Sequence, residues 1–209
     1  MLERAELNIF PDRRASGKWQ QIRGTSQAMR KRKITPTYIA AHIRRVLKDG
    51  GSAPHAEGVQ RFFKEEIASR GWRAAELRQL AARFQRTIQG ELGLEFLVQV
   101  ADKLFSGKVL EEKGIAVLLL EKLVSKFGNA EFKLFESWLT RVSSWADHDA
   151  LVHYLIAPLI VAEPKRASRT FLWAKSHDRW HRRAACVALI QGTRRKMLFP
   201  RLYVYLIFC

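Results

Sequence analysis

The 209-residue sequence predicts an all-α fold of stacked antiparallel helix pairs, and three observations carry that prediction. Apolar residues recur at three- and four-residue spacing over one stretch after another. Gly and Pro punctuate the intervals between those stretches. No segment alternates apolar and polar residues in the manner of a strand over more than four positions, the ambiguous residues 202–208 excepted.

The elements follow in order. Residues 1–34 show no sustained period, contain Pro11, Gly17 and Gly24, and end in the run Arg30-Lys31-Arg32-Lys33, so they read as a flexible basic arm. Thr35-Pro36 can open a helix, and Ile39, Ile43, Val46 and Leu47 follow on one face before Gly50-Gly51 ends it. Val59, Phe62, Phe63 and Ile67 form a second stripe, closed by Gly71. Ala74, Leu77, Leu80, Ala81 and Phe84 form a third that runs out near Gly90, and Leu97, Val100, Ala101, Leu104 and Phe105 a fourth that stops at Gly107. The fifth, from Ile115 to Phe127, is apolar around much of its circumference and should be buried between neighbours. Phe132, Phe135, Trp138, Leu139 and Val142 line the sixth. Leu151, Tyr154, Leu155 and Ile156 mark the seventh, which Pro158 should kink or end. Phe171-Leu172-Trp173 belong to a short eighth helix, and Ala184, Val187, Ala188 and Leu189 to a ninth closed by Gly192. Helices of this length joined by short turns fit a HEAT-like repeat α-solenoid, with a compact helical bundle as the alternative. The expected organisation is a basic arm over 1–34, the helical repeat domain over 35–199 and a divergent apolar tail over 200–209.

With 47% hydrophobic and 27% charged residues, the chain has the composition of a soluble folded protein rather than a disordered one. Its net charge of +17 is concentrated at two ends. Residues 1–34 carry nine Lys/Arg against three acids, and residues 163–201 eleven against two. Two basic ends around a balanced middle point to an anionic polymer as partner. Two cysteines exclude a disulfide framework, and Cys186, in an apolar helical run, reads as core packing. We read no secretory signal at the N-terminus, and the tail from Leu202 to Cys209 is short of the roughly 20 residues that span a bilayer, so a cytoplasmic monomer is expected.

The familiar catalytic signatures are missing: no Gly-rich phosphate loop, no His-Glu-x-x-His, no Cys-x-x-Cys and no Gly-x-Ser-x-Gly. The six histidines make no ligand pattern, so neither metal nor cofactor is expected. What remains is an aromatic and charged constellation. Trp145 and Asp149, four apart, lie on one side if a helix begins between them. Asp147 reads as the N-cap of that helix; Asp149 reads either as a site carboxylate or as a first-turn acid favoured by the helix dipole. Further on, Ser176 or Asp178 caps a helix that carries Trp180 and Arg183 three apart on one face. Trp145 can equally be core, and Trp180 can equally pack in an inter-helix seam with its arginines in solvent.

Three blocks in this order, Gly71-Trp72 with Glu76-Leu77-Arg78, Ser144-Trp145 with Asp149, and Trp173-x-x-Ser176 with Arg179-Trp180-x-Arg182-Arg183-Ala184-Ala185, resemble the DNA alkylation repair family. These are AlkD-like alkylpurine DNA glycosylases built from HEAT-like repeats, and the resemblance covers roughly residues 37–198. It implies that Trp145 and Asp149 are the active-site aromatic and carboxylate and Arg183 the active-site cation. Trp180, Arg182, Arg179, Lys175 and Arg78 are expected to contact DNA. The implied partner is duplex DNA bearing cationic N3- or N7-alkylpurines, whose N-glycosidic bond is hydrolysed without metal or cofactor. Asp147 competes with Asp149 for the carboxylate role. Residues 200–208 do not resemble the family's further Gly-Trp motif, so a truncated or diverged C-terminal end is expected. A non-catalytic DNA-binding protein and a helical scaffold for an acidic protein partner are the rival readings.

Overall fold

A computed structural model of the chain describes residues 34–194. The basic arm and the apolar tail expected from the sequence lie outside the described residues, except for Ile34. The described residues are all-α apart from one isolated parallel bridge between Ala68 and Val109. No helix among them is long and apolar enough to cross a membrane.

Helix α1 (Pro36–Asp49) starts as its sequence dictates. The Thr35 hydroxyl accepts the Tyr38 amide at 3.2 Å, Pro36 occupies the first turn, and Ile39, Ala40, Ile43 and Leu47 are buried along one face. Helix α2 (Ala53–Gln60) buries nothing, and the second apolar stripe is not a helix beyond it. The Gln60 side chain explains the break. It donates to the Glu65 carbonyl at 2.9 Å and accepts the Ile67 amide at 3.0 Å, so it offers the backbone a turn instead of another helical residue. Phe62 and Phe63 therefore sit in a turn. The chain that follows is held by Glu111, whose carboxylate accepts the Arg70 and Gly71 amides, both at 2.8 Å, and the Ser69 hydroxyl at 2.7 Å. Gly71 sits at φ 74° against Ser52, where a Cβ would lie 2.0 Å from the Ser52 carbonyl oxygen.

The third and fourth stripes form α3 (Ala74–Phe105), broken at Gly93 (φ 86°) and not at Gly90, which stays helical. The buried series Leu80, Ala81, Phe84 and Ile88 resumes at Leu97, and the break resets which face meets the core. Helix α4 (Leu110–Leu120) packs along α3 and is buried on nearly every side, as its apolar circumference requires. It begins five residues earlier than expected, because Glu111, Glu112 and Lys113 are buried and paired rather than solvated. It also ends earlier, tightening into a 3₁₀ turn over Glu121–Lys126.

Helix α5 (Asn129–Trp138) opens with the Glu131 carboxylate accepting the Gly128 amide at 2.8 Å. Its Trp138 stacks on Phe105 with ring centres 4.4 Å apart and donates its indole N–H to Asp102 at 2.8 Å. Helix α6 (Trp145–Leu151) widens into a π-helical turn over Val152–Ile156 and continues as α7 (Ala157–Ala162). Pro158 accounts for that irregularity, since its nitrogen has no hydrogen to continue the ladder. A 3₁₀ turn over Pro164–Ser168 leads to α8 (Arg169–Ala174), α9 (Arg179–Val187) and α10 (Ile190–Arg194). Gly192 does not close α9; it lies buried within α10. Nor is Cys186 core: α9 buries Ala184 and Ala185, and Cys186 points to the exposed side. Helix α9 packs against α8 and against α6 with its π-turn, which brings the two sequence clusters together.

Candidate nucleic-acid interface

Helix α6 is placed from its first residue. Ser144 is its N-cap, and its hydroxyl accepts the Asp147 amide while Asp147 reaches back to the Ser144 amide at 2.7 Å. This corrects the sequence reading of Asp147 as the N-cap: it is the third helical residue of a reciprocal capping box. Its second oxygen accepts the Ser143 amide at 2.9 Å and Lys113 Nζ at 2.8 Å. Lys113 also donates to the Ser143 hydroxyl at 2.7 Å and the Arg141 carbonyl at 2.5 Å. Both charges are buried, and burial pushing the Asp147 carboxyl up is outweighed by the bonds from Lys113 and Ser144, which hold it below the usual aspartate value. Asp147 thus faces inward and cannot compete with Asp149 for the cleft.

With the helix started at Trp145, residues 145 and 149 lie on the same outer side. Asp149 is in the second turn, so it is not a first-turn acid on the helix dipole. Its partners come from elsewhere. Arg183 donates Nε to Oδ1 at 3.0 Å and Nη2 to Oδ2 at 2.8 Å, a fork-on-carboxylate pair. His148 Nδ1 lies 2.7 Å from the same Oδ1. Burial pushes the Asp149 carboxyl up, but the hydrogen bonds from Arg183 and His148 more than offset it, so the group stays ionised below the usual aspartate range. The same pair raises the Arg183 guanidinium above its ordinary value.

Arg183 is delivered by α9. Asp178 caps that helix by accepting the Trp180 amide at 2.7 Å, which decides between Asp178 and Ser176. Trp180 is half-buried and stacks on His148 with ring centres 5.6 Å apart, while Arg183, one turn on, stays accessible. Trp145 stacks on Phe63 at 5.1 Å and remains 45% exposed.

These side chains open on a cleft of about 490 Å³ lined by Phe62, Lys64, Glu65, Trp145, Arg179, Trp180 and Arg183. Three cations and three aromatic rings face one acid. Arg179 lies 4.5 Å over the Trp180 ring and binds Glu65 at 2.8 Å, joining α9 to the turn after α2. Asp149 is not in the cleft wall; it stands behind Arg183 with 36% of its side chain accessible.

Of the residues expected from the sequence, Trp145, Trp180, Arg179 and Arg183 meet at this cleft and Asp149 adjoins it. Three lie outside its lining. Arg182 donates to the Ser176 and His177 carbonyls at 2.9 and 2.8 Å, closing the loop before α9. Arg78 lies 3.3 Å from the Tyr154 hydroxyl and 3.5 Å from Glu121. Lys175 ends α8 in an exposed position. The sequence reading missed Phe62, Phe63, Lys64 and Glu65, whose signal was an aromatic pair followed by charges where a helix was expected. It also missed His148.

The described residues form an all-α molecule that gathers aromatic plates, arginines paired with carboxylates and a lysine at one open cleft. The sequence pattern of the DNA alkylation repair enzyme family matches residues 43–206, and the chain belongs to that family. No curated protein matches the chain. The family is one of DNA repair, and its partner is DNA.

Proposed function

We propose that this protein binds duplex DNA through a HEAT-like helical surface and hydrolyses the N-glycosidic bond of cationic N3- or N7-alkylpurines at the Asp149 cleft. The observation that carries this reading is the ionised Asp149 carboxylate, clamped by Arg183 beside two partly open indoles. Alkylation makes the purine a cationic leaving group. When the bond from its nitrogen to C1′ breaks, the electron pair neutralises the base, so no strong general acid is required. The sugar is left with oxocarbenium character, and a nearby carboxylate stabilises that charge. Water then bonds to C1′ and gives up a proton to solvent. Trp145 offers a face to the cationic base or the sugar, worth about 0.5–2 kcal/mol.

Arg183 has five N–H donors and spends two on Asp149, leaving the others for a phosphate. Arg179 and Lys64 add charge along the same cleft. The test is release of 7-methylguanine or 3-methyladenine from methylated duplex by wild type and by Asp149→Asn. Wild type should release base, and the variant should be slower by about 100-fold, the scale of one lost electrostatic contact to a transition state. No release by wild type above background would remove the glycosylase reading. Equal release by both proteins would remove Asp149 from it.

One observation favours binding without cleavage: Arg183, not Asp149, forms the cleft wall. On that second reading duplex affinity persists while base release is absent.

A further inference from the structure

The most deeply buried ionisable ring in the neighbourhood of the cleft is His148, with no side-chain exposure, and the reaction proposed above gives it no task. Its two ring nitrogens both face oxygen: Nδ1 lies 2.7 Å from Asp149 Oδ1, and Nε2 lies 3.2 Å from the Trp180 main-chain carbonyl. Its plane stacks on the Trp180 indole. One imidazole therefore touches the carboxylate on α6 and both the backbone and the side chain of a cleft residue on α9.

We propose that His148 is a positioning residue of this site, fixing which oxygen of Asp149 is held and which is offered to the cleft. The inference rests on the role given to Asp149 above. An ionised carboxylate at 2.7 Å requires a proton between it and the ring, so Nδ1 carries hydrogen. Oδ1 then accepts two bonds, from His148 and from Arg183 Nε, which saturates its two lone pairs. Oδ2 accepts only one, from Arg183 Nη2, and keeps a lone pair for a developing cation or for water. Without the imidazole the carboxylate has only Arg183 to orient it, and a phosphate competes for that guanidinium. The charged groups facing the ring are Asp149 beside it and Arg183 across from α9. Burial pushes the imidazole below the usual histidine value, while Asp149 and the Trp180 carbonyl work against that.

Two variants separate positioning from packing. His148→Leu removes both nitrogens; His148→Asn places an amide donor near Nδ1 and abandons Nε2. Single-turnover release from 7-methylguanine duplex should fall about 10–100-fold in the Leu variant, the cost of a misplaced catalytic group, while duplex Kd stays within a few-fold. The Asn variant should recover most of that loss. Independently of activity, a ¹³C titration of the Asp149 carboxyl should show its pKa higher in His148→Leu and returned in His148→Asn. Imidazole ¹⁵N shifts should show the proton on Nδ1 at neutral pH. Equal release by wild type and His148→Leu, equal losses in Leu and Asn, or an Asp149 titration that ignores both substitutions would each overturn the role. If wild type releases no base, the glycosylase reading fails on its own, and the carboxyl titration and nitrogen shifts still decide whether His148 holds Asp149.

Discussion

Asp147 and Asp149 stand two residues apart on one short helix, each bound to a cation from a distant segment, yet their surroundings differ in kind. The Asp147–Lys113 pair is dry, with side-chain exposures of 0% and 3%, and every other bond either group makes goes to backbone or serine. The Asp149–Arg183 pair is wet, at 36% and 45%, and opens beside a cleft. The inner pair fixes where α6 begins and ties it to α4. The outer pair inherits that placement and keeps donors and lone pairs to spare. Burial separates a charge pair that builds the site from one that can act in it.

The largest effect that sharpens this contrast comes from the inner pair. Lys113→Met keeps the length of the side chain and strands the Asp147 carboxylate in the interior. Breaking one side of a buried pair costs about 3–5 kcal/mol, so the urea midpoint should drop steeply. A loss below about 1 kcal/mol, the scale of an exposed pair, would erase the distinction between the two carboxylates. The outer pair predicts the opposite balance. Arg183→Ala should change stability by no more than about 1 kcal/mol, because solvent screens the pair it breaks. It should instead weaken duplex binding and reduce the slope of log K against log salt by about 0.9, one phosphate contact. Anisotropy titrations over a salt series measure that slope, and an unchanged slope would mean that Arg183 serves Asp149 alone.

The parts of this arrangement that depend on helical spacing were legible in the sequence. Trp145 with Asp149, and Trp180 with Arg183, follow from four- and three-residue intervals, and the buried faces of α1, α3, α4 and α5 follow from the same period. What depends on contacts between distant residues was not. Nothing local in Lys113 announces a partner 34 positions away, and nothing in His148 announces the Trp180 carbonyl. The turn carrying Phe62 to Glu65 was hidden because its apolar residues mimic a helical stripe, while the deciding group is the Gln60 amide. Arg78 and Arg182 show the limit of counting cations: a basic residue near a site motif can be bonded to a carbonyl or a tyrosine. Gly90 and Gly93 differ in the same way. Either can break a helix, and it is Gly93 that takes the positive φ.

Acid should dissect the two pairs at the smallest scale. His148 and His42 are both pushed below the usual histidine value, chiefly by burial, so the unfolded chain takes up protons before the folded one does. Their contribution is complete above about pH 6.5 and is lost as pH falls from there toward their folded values, at no more than about 1.4 kcal/mol per pH unit for each group. Asp147 and Asp149 are also held below their ordinary value, so their contribution is present above about pH 3.9 and is lost below it. Urea midpoints should therefore be flat above neutrality, slope gently downward from pH 6.5, and steepen below pH 4. His148→Leu should flatten part of the first slope and weaken the Asp149 share of the second, leaving the Asp147 share. A first slope that survives with both His42 and His148 replaced would assign it to other groups.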